Sequence, residues 1–211
     1  MHFPDISEYY RRRDRVEVEE KAWCKTKLYE RHAASVNRVI ELSGAKTVLE
    51  VACGSAWLPT LLPPSVAYTG VDKLDMFLEF AQKKNPGSNR TFYCGDMREL
   101  LPKLGTFDLV CSFATLKHFG LHEWNEIAGL LLSKAPLSVL EITVSTSDYN
   151  NGKDFHHVFV SPARVRAVVQ AAGHEIVAVT PFFEGVIPDT DMPSGQRSIG
   201  ELAYFTRKKP V

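Results

Sequence analysis

The stretch Thr47-Val48-Leu49-Glu50-Val51-Ala52-Cys53-Gly54-Ser55-Ala56-Trp57 decides the fold of this 211-residue chain. Its first five residues form a short run rich in apolar and β-branched side chains, which predicts a buried strand. Residues 52–56 are all small, and small residues let a backbone approach a ligand closely. In an open α/β sheet, a ligand binds beyond the carboxyl ends of the strands, at the switch point of the strand order. The turn after this strand is therefore the first candidate binding site.

Strand-like and helix-like patterns alternate on both sides of this stretch. Upstream, a helical pattern begins near Ala22 and ends at Gly44, which enters the left-handed region without steric cost. Downstream, Ser161 and Pro162 are typical of the start of a helix. The predicted strands are 47–51, 66–71, 91–94, 107–113, 137–144, 174–180 and 201–206, and the predicted downstream helices are 75–84, 121–132 and 162–172.

This alternation predicts the fold class. Strands that alternate with helices form βαβ units, in which helices cover both faces of a parallel sheet. The last two strands are joined by residues 181–200, which are rich in turn residues and carry no helical pattern, so the final strand is expected to run antiparallel. We expect an α/β three-layer sandwich with a seven-stranded sheet, mostly parallel, with the last strand antiparallel and helices on both faces.

The composition is that of a globular protein without a charge bias. Apolar residues make up 45% and charged residues 24%, and 25 basic side chains balance 25 acidic ones. Neutrality argues against a nucleic acid held over the whole surface. There is no metal-ligand cysteine spacing, no secretory signal and no run near the ~18 apolar residues of a membrane span. We expect a cytoplasmic monomer or homodimer with no membrane partner, in which residues 1–21 form an arm or lid and residues 22–211 one domain.

Acidic residues follow the next two predicted strands. Asp72 ends the second strand, 22 residues beyond Glu50. An acid at that position can accept hydrogen bonds from both hydroxyls of a ribose. Asp96 follows the third strand, where a carboxylate can accept a hydrogen bond from an exocyclic amine while Met97 packs on a flat ring. The fourth strand ends at Phe113, at the same edge of the sheet.

Together these positions resemble the class I S-adenosylmethionine-dependent methyltransferases, most specifically over residues 47–113. The resemblance implies a Rossmann-like sheet, S-adenosyl-L-methionine as cofactor and S-adenosyl-L-homocysteine as product. In that family an acid and then Gly-x-Gly-x-Gly follow the first strand. Here the three glycine positions are Ala52, Gly54 and Ala56, so only the middle glycine is kept. The Gly-x-Gly-x-x-Gly of a nicotinamide dehydrogenase is absent, which argues against that class.

The resemblance also implies roles for individual residues. Glu50 would orient the turn or meet the amino group of the cofactor, and Asp72 would hold the ribose hydroxyls. The remaining residues would contact the other parts of the cofactor: Ala52, Cys53 and Gly54 the methionine portion, Lys73 the flank of the adenine, Asp96 and Met97 the adenine amine and ring, and Phe113 with residues 114–118 the methyl end.

Three histidines are candidates for a general base, the group that takes a proton from the methyl acceptor. His118 follows the fourth strand, and His156 and His157 follow the fifth, so all three lie near the expected substrate mouth. An ordinary polar loop position is the alternative for each of them. The neighbouring Lys117 is expected to be solvated.

Two other chemistries find less support. His118 and His122 lie four residues apart, as metal ligands on a helix can, but Gly120 is expected to break the helix between them and no third ligand is nearby. No metal site is therefore predicted. Enzymes that methylate C5 of a nucleic acid base use a cysteine after a proline. No proline precedes Cys111, which is expected to be a core residue.

The sequence thus predicts an enzyme that moves a methyl group from S-adenosylmethionine to an oxygen or nitrogen atom of a small molecule. Two alternatives remain. An RNA or protein methyltransferase is suggested by the basic run Arg11, Arg12 and Arg13, which Tyr9 and Tyr10 precede. A cofactor-binding scaffold protein without transferase activity is suggested by the two missing glycines.

Overall fold

The structure, a computed structural model, describes residues 28–150, 158–181 and 198–210. The predicted arm, His156 and His157 lie outside these residues. Two compact units divide the chain after Cys111. The first contains helices α1 (Leu28–Ser43), α2 (Leu58–Leu61), α3 (Asp75–Lys84) and α4 (Met97–Leu100), a 3-10 turn (Leu101–Lys103), and strands β1 (Thr47–Val51), β2 (Ala67–Asp72), β3 (Arg90–Cys94) and β4 (Leu109–Ser112), whose last residue begins the second unit.

The second unit contains the remaining elements. These are a 3-10 turn (Leu116–His118), helices α5 (Leu121–Leu132) and α6 (Pro162–Ala171), and strands β5 (Leu137–Ser145), β6 (Tyr149–Asn150), β7 (Val158–Phe159), β8 (His174–Pro181) and β9 (Ser198–Lys208).

Strand β1 is the centre of the first unit. It pairs in parallel with β2 on one side and with β4 on the other, and β2 pairs in parallel with β3. Val48, Leu49 and Val51 are completely buried. A continuous apolar run of this kind is what a parallel strand covered on both faces requires. Helix α1 ends as predicted, since Gly44 has φ +73° and its N–H bonds the Ile40 carbonyl at 2.8 Å.

In the second unit, β9 runs antiparallel to both of its neighbours. It pairs with β5 along its whole length and with β8 on the other side. Helix α6 begins as predicted, because the Ser161 hydroxyl accepts a hydrogen bond from the Arg164 N–H and Pro162 occupies its first turn. Five side chains of α5 are buried: Trp124, Ile127, Ala128, Leu131 and Leu132.

The strand order β3-β2-β1-β4-β5-β9-β8 confirms the predicted fold class, an α/β fold with a seven-stranded sheet, mostly parallel, whose last strand is antiparallel. The predicted loop 181–200 was wrong at its ends, because Pro181 belongs to β8 and β9 starts at Ser198. The sequence patterns also missed α4, both 3-10 turns and the β6–β7 hairpin. Each of these elements is too short to show a periodic pattern. The division into an arm and one domain stays a prediction.

No helix in the described part of the chain is long and apolar enough to cross a membrane.

Asp108 fastens the start of β4 to the start of β1. Its carboxylate accepts hydrogen bonds from the Lys46 N–H at 2.8 Å, the Thr47 N–H at 2.9 Å and the Thr47 hydroxyl at 3.0 Å. These donors, the Lys46 N–H first, hold the pKa of Asp108 below its usual value. The carboxylate therefore stabilises the fold only while it is ionised.

We expect Asp108→Ala to lower the free energy of unfolding at pH 7 by about 1–3 kcal/mol, because the deletion leaves backbone donors without their acceptor. The stability that a lowered pKa supplies is present above the unfolded pKa of about 3.9 and is lost as the pH falls through the folded pKa. The difference between wild type and variant should therefore shrink below about pH 4. Urea unfolding at pH 7 and pH 3 measures it. Glu79→Ala, at an exposed position of α3, is the control and should cost little at either pH.

Candidate functional site

The turn between β1 and α2 keeps the backbone of a glycine-rich loop without two of its glycines. Ala52, Gly54 and Ala56 have φ +59°, +52° and +51°. The left-handed region costs a residue with a Cβ about 1–2 kcal/mol. The surrounding structure holds the turn there: the Cys53 N–H donates to the Val71 carbonyl at 3.0 Å, and the Ala56 N–H to the Cys53 carbonyl at 2.9 Å. Alanine at the two outer positions therefore adopts the left-handed conformation that glycine enters without steric cost.

Asp72, at the end of β2, binds this turn. One carboxylate oxygen accepts the Gly54 N–H at 2.8 Å, and the other accepts the Leu74 N–H at 2.9 Å. Burial raises the pKa of Asp72, and the backbone donors oppose that rise. Each carboxylate oxygen can accept more than one hydrogen bond. The side chain can thus fix the turn and still accept from a diol.

Glu50 lies beneath the turn in a buried polar group. Its carboxyl accepts a hydrogen bond from the Tyr68 hydroxyl at 2.5 Å. Burial first, and Asp72 to a smaller degree, raise the pKa of Glu50 to about 8, while the Tyr68 hydrogen bond lowers it. Gly70 makes room for this group, since a Cβ there would lie 2.8 Å from Cys53 Sγ and 3.0 Å from the Tyr68 hydroxyl. A glycine is needed here for close packing.

Sequence reasoning missed Tyr68. The two-residue period of a strand could have indicated it. Tyr68, Gly70 and Asp72 are every second residue of β2, so their side chains lie on one face of the strand. Glu50 is directly opposite Gly70 in the β1–β2 register. Tyr68 is therefore a diagonal neighbour of Glu50, within reach of a long side chain.

The end of β3 lies at the same edge as the end of β2. The Gly95 N–H donates to the Asp72 carbonyl at 2.9 Å. Asp96 is half-buried and caps α4, accepting the Arg98 N–H at 2.9 Å. Met97 is also half-buried, whereas Lys73 is exposed. The first unit thus brings together eight of the residues proposed for the cofactor: Glu50, Ala52, Cys53, Gly54, Asp72, Lys73, Asp96 and Met97. Their contacts with a cofactor stay predictions.

The second unit contains a buried charged group that the sequence did not reveal. Lys117 Nζ lies 2.8 Å from Glu201 Oε1, and their side chains are 15% and 14% exposed. Burial raises the pKa of Glu201, Lys117 opposes the rise and Glu141 adds to it. A Glu141 oxygen also accepts the Ala114 N–H at 3.0 Å. The expectation that Lys117 is solvated was wrong, because its ammonium group pairs with a carboxylate from β9.

Phe113 and His118 belong to the same unit. Phe113 is buried at the end of β4, and His118 is half-buried in the 3-10 turn that follows. Gly120 is the N-cap of α5, so His118 and His122 do not share a helix, as expected. Within the described residues no group of three His, Cys, Asp or Glu could hold a metal ion. The roles of Phe113 at the methyl end and of His118 as a base stay predictions.

Comparisons with known proteins show a similarity to methyltransferases. Residues 48–132 match the family model described as a methyltransferase domain. The search of curated proteins gave no match. Among solved structures, magnesium protoporphyrin IX methyltransferase from Synechocystis PCC 6803 with bound SAM is similar to this chain, with a TM-score of 0.62 and 18% identity over 86% of this chain and 80% of that one.

Two further structures extend the comparison. An S-adenosylmethionine-dependent methyltransferase from Clostridium acetobutylicum has a TM-score of 0.61 and 11% identity, over 97% of this chain and 98% of that one. Mitomycin 7-O-methyltransferase has a TM-score of 0.60 and 13% identity, over 87% of this chain and 54% of that one.

Residues 48–132 thus match a methyltransferase domain, and the fold is that of the similar S-adenosylmethionine-dependent methyltransferases. Two of the similar structures contain SAM or SAH, the cofactor and product that the sequence predicts for this chain. The left-handed turn, the acid at the end of β2 and the acid after β3 have the chemistry to bind a charged amino acid, a ribose and an adenine.

The two left-handed alanines give a prediction about stability. We expect Ala52→Gly to leave the free energy of unfolding unchanged or to raise it by up to about 1 kcal/mol, because relief of strain exceeds the entropy lost by glycine. The matched control is Ala34→Gly at an exposed position of α1, which should lower it by about 1 kcal/mol. Urea unfolding of the three proteins measures both changes. If Ala52→Gly lowered the free energy of unfolding as much as Ala34→Gly does, the strain argument would be contradicted.

Proposed function

We propose that the protein is a class I S-adenosylmethionine-dependent methyltransferase, which transfers the methyl group to an oxygen or nitrogen atom of a small molecule. The observation that carries the proposal is the Lys117–Glu201–Glu141 group in the second unit. Its ion pair is about six-sevenths buried, with side chains 15% and 14% exposed. Side chains with so little exposed surface suit a small acceptor, whereas a nucleic acid or a protein would have to extend a base or a side chain to reach them.

The chemistry of methyl transfer fits such a group. A sulfonium carbon is already a strong electrophile, so the enzyme chiefly has to align an acceptor with it. The acceptor forms a bond to carbon, the carbon–sulfur bond breaks, and its electron pair stays on sulfur. A hydroxyl or amine acceptor must also lose a proton. The raised pKa of Glu201 makes this carboxylate a better proton acceptor than an ordinary one.

The comparisons support a small acceptor by analogy. The names of two similar structures specify magnesium protoporphyrin IX and mitomycin as what those enzymes methylate. The neutral net charge agrees with this class.

The RNA or protein alternative rests on Arg11–Arg13, which lie outside the described residues. The two missing glycines no longer favour a scaffold protein without transferase activity, because the turn is left-handed at Ala52 and Ala56 as well.

The cofactor is proposed to lie along the turn and the strand ends of the first unit. The proposed contacts are those of Ala52, Cys53 and Gly54 with the methionine portion, Asp72 with the ribose hydroxyls, Lys73, Asp96 and Met97 with the adenine, and Phe113 with the methyl end. His118, His156 and His157 are proposed as further candidates for a general base, in addition to Glu201.

Asp72→Ala should weaken binding of S-adenosylmethionine by at least about tenfold, equivalent to about 1.4 kcal/mol, because both ribose hydroxyls lose an acceptor. Calorimetry with S-adenosylmethionine measures it. Asp75→Ala, an exposed acid three residues away, should bind like wild type. Circular dichroism checks that the Asp72 variant is folded. Unchanged binding by a folded Asp72→Ala would remove the ribose role.

The acceptor class is tested with S-adenosylmethionine carrying an isotope-labelled methyl group. We expect label in a pool of small hydroxy and amino compounds, measured by mass spectrometry, and none in total RNA or bulk protein. Label in RNA or protein alone would overturn the proposal.

With an acceptor found in this way, Glu201→Gln should lower kcat at least tenfold and remove its rise with pH. Glu201 accepts a proton only when ionised, so the wild-type rate increases as the pH rises through its raised pKa. Cofactor affinity should stay unchanged. Glu175→Gln is the control, since Glu175 pairs with Arg207 on the exposed surface of the same unit.

A further inference from the structure

Glu50 occupies the central position of the first unit's sheet. The chain runs from β1 outward to β2 and β3, and then returns to β4 on the other side of β1. The strand order therefore reverses at β1, where open α/β sheets bind their ligands. Glu50 is the penultimate residue of β1, opposite Gly70 on β2 and Cys111 on β4. Its carboxyl is thus buried at the carboxyl end of the strand beside the switch point.

Within the part of the chain that the structure describes, the side chains that act on this carboxyl are a phenol and a second acid, and neither supplies a positive charge. The Tyr68 hydroxyl donates to it from β2, and the Asp72 carboxylate acts on it from the end of that strand. Cys53 in the turn and Cys111 on β4 complete its titratable neighbours. Burial raises the pKa of Cys53, Tyr68 and Cys111 well above their usual values, so all three stay neutral near pH 7.

An acid in these surroundings responds strongly to the charge of a ligand. Its pKa of about 8 means that it holds its proton at neutral pH when no cation is near. A nearby positive charge favours the ionised form. S-adenosylmethionine has a positive sulfonium, and S-adenosylhomocysteine has a neutral thioether. The two molecules otherwise share the same amino acid and adenosine groups.

We propose that Glu50, held by the Tyr68 hydroxyl, discriminates by charge between the cofactor and its spent product. The ionised carboxylate attracts the sulfonium and gains nothing from the thioether. Cofactor binding therefore draws the proton from Glu50 to solvent, and the carboxyl recovers a proton after the sulfonium has lost its methyl group. Tyr68 is a positioning residue in this scheme, since it fixes the carboxyl without meeting the cofactor. Loss of the attraction after methyl transfer favours release of the product.

The inference is tested through the ratio of two dissociation constants, that of S-adenosylhomocysteine over that of S-adenosylmethionine. Calorimetry measures both between pH 6 and pH 9. The sulfonium lowers the pKa of the cofactor's amino group below that of the product, so the ratio is corrected with the titration curves of the two free ligands. We expect this wild-type ratio to rise at least fivefold and to level off near the cation-free pKa of about 8. After the same correction, calorimetry in buffers of different ionisation enthalpy should show that the cofactor releases more protons than the product does at pH 7.

The variants separate the charge of Glu50 from its packing. Glu50→Gln keeps the shape and should make the ratio independent of pH. Tyr68→Phe should move the midpoint to higher pH, because the lost hydrogen bond stabilised the ionised form. Glu79→Gln on the exposed face of α3 should retain the wild-type curve.

A wild-type ratio that is constant with pH would overturn the proposal, and that measurement needs no variant. A pH-dependent ratio that persists in Glu50→Gln would also overturn it. No acceptor is present in these experiments. Their outcome is therefore independent of whether the enzyme methylates a small molecule.

Discussion

The hydrogen bond from the Gly54 N–H to the Asp72 carboxylate is the contact on which the first unit's site depends. It joins the turn after β1 to the end of β2, and the Gly95 N–H then joins that end to the end of β3. A left-handed residue is held only where its surroundings fix it. Asp72 and Val71 supply that constraint, which is why two alanines can follow the path that glycine takes at no cost.

The need of buried polar groups for hydrogen-bond partners explains the surroundings of the two buried acids. A carboxyl removed from water without hydrogen bonds costs several kcal/mol, so each buried acid needs donors. Asp72 finds two backbone N–H groups, and Glu50 finds a phenol. Burial raises the pKa of both acids. Backbone donors oppose that rise at Asp72, whereas the Asp72 charge adds to it at Glu50. Two acids 22 residues apart in sequence thus meet different electrostatic surroundings at one sheet edge.

The parts of the molecule that the sequence predicted are those with a local pattern. The strand period, the small turn and the acids at strand ends all lie within short stretches, so β1 to β3 and their edge could be derived from residues 47–97. Tyr68 was missed because a single tyrosine in an apolar strand does not indicate its partner. Lys117 and Glu201 were missed because they are 84 residues apart, and only the pairing of β5 with β9 brings Glu201 near Glu141. Helix α4 has four residues, fewer than a periodic pattern needs.

The two units differ in how local their polar arrangements are in the sequence. The acids and the small turn of the first unit lie at the ends of consecutive strands, within residues 47–97. The polar group of the second unit is assembled from β5, β9 and the turn after β4, which are distant in sequence. A short motif can therefore reveal the first arrangement, whereas the second exists only through tertiary contacts. On the proposed function this difference is expected, because the sulfonium supplies the reactivity and the acceptor side needs no nucleophile or metal to activate the methyl group.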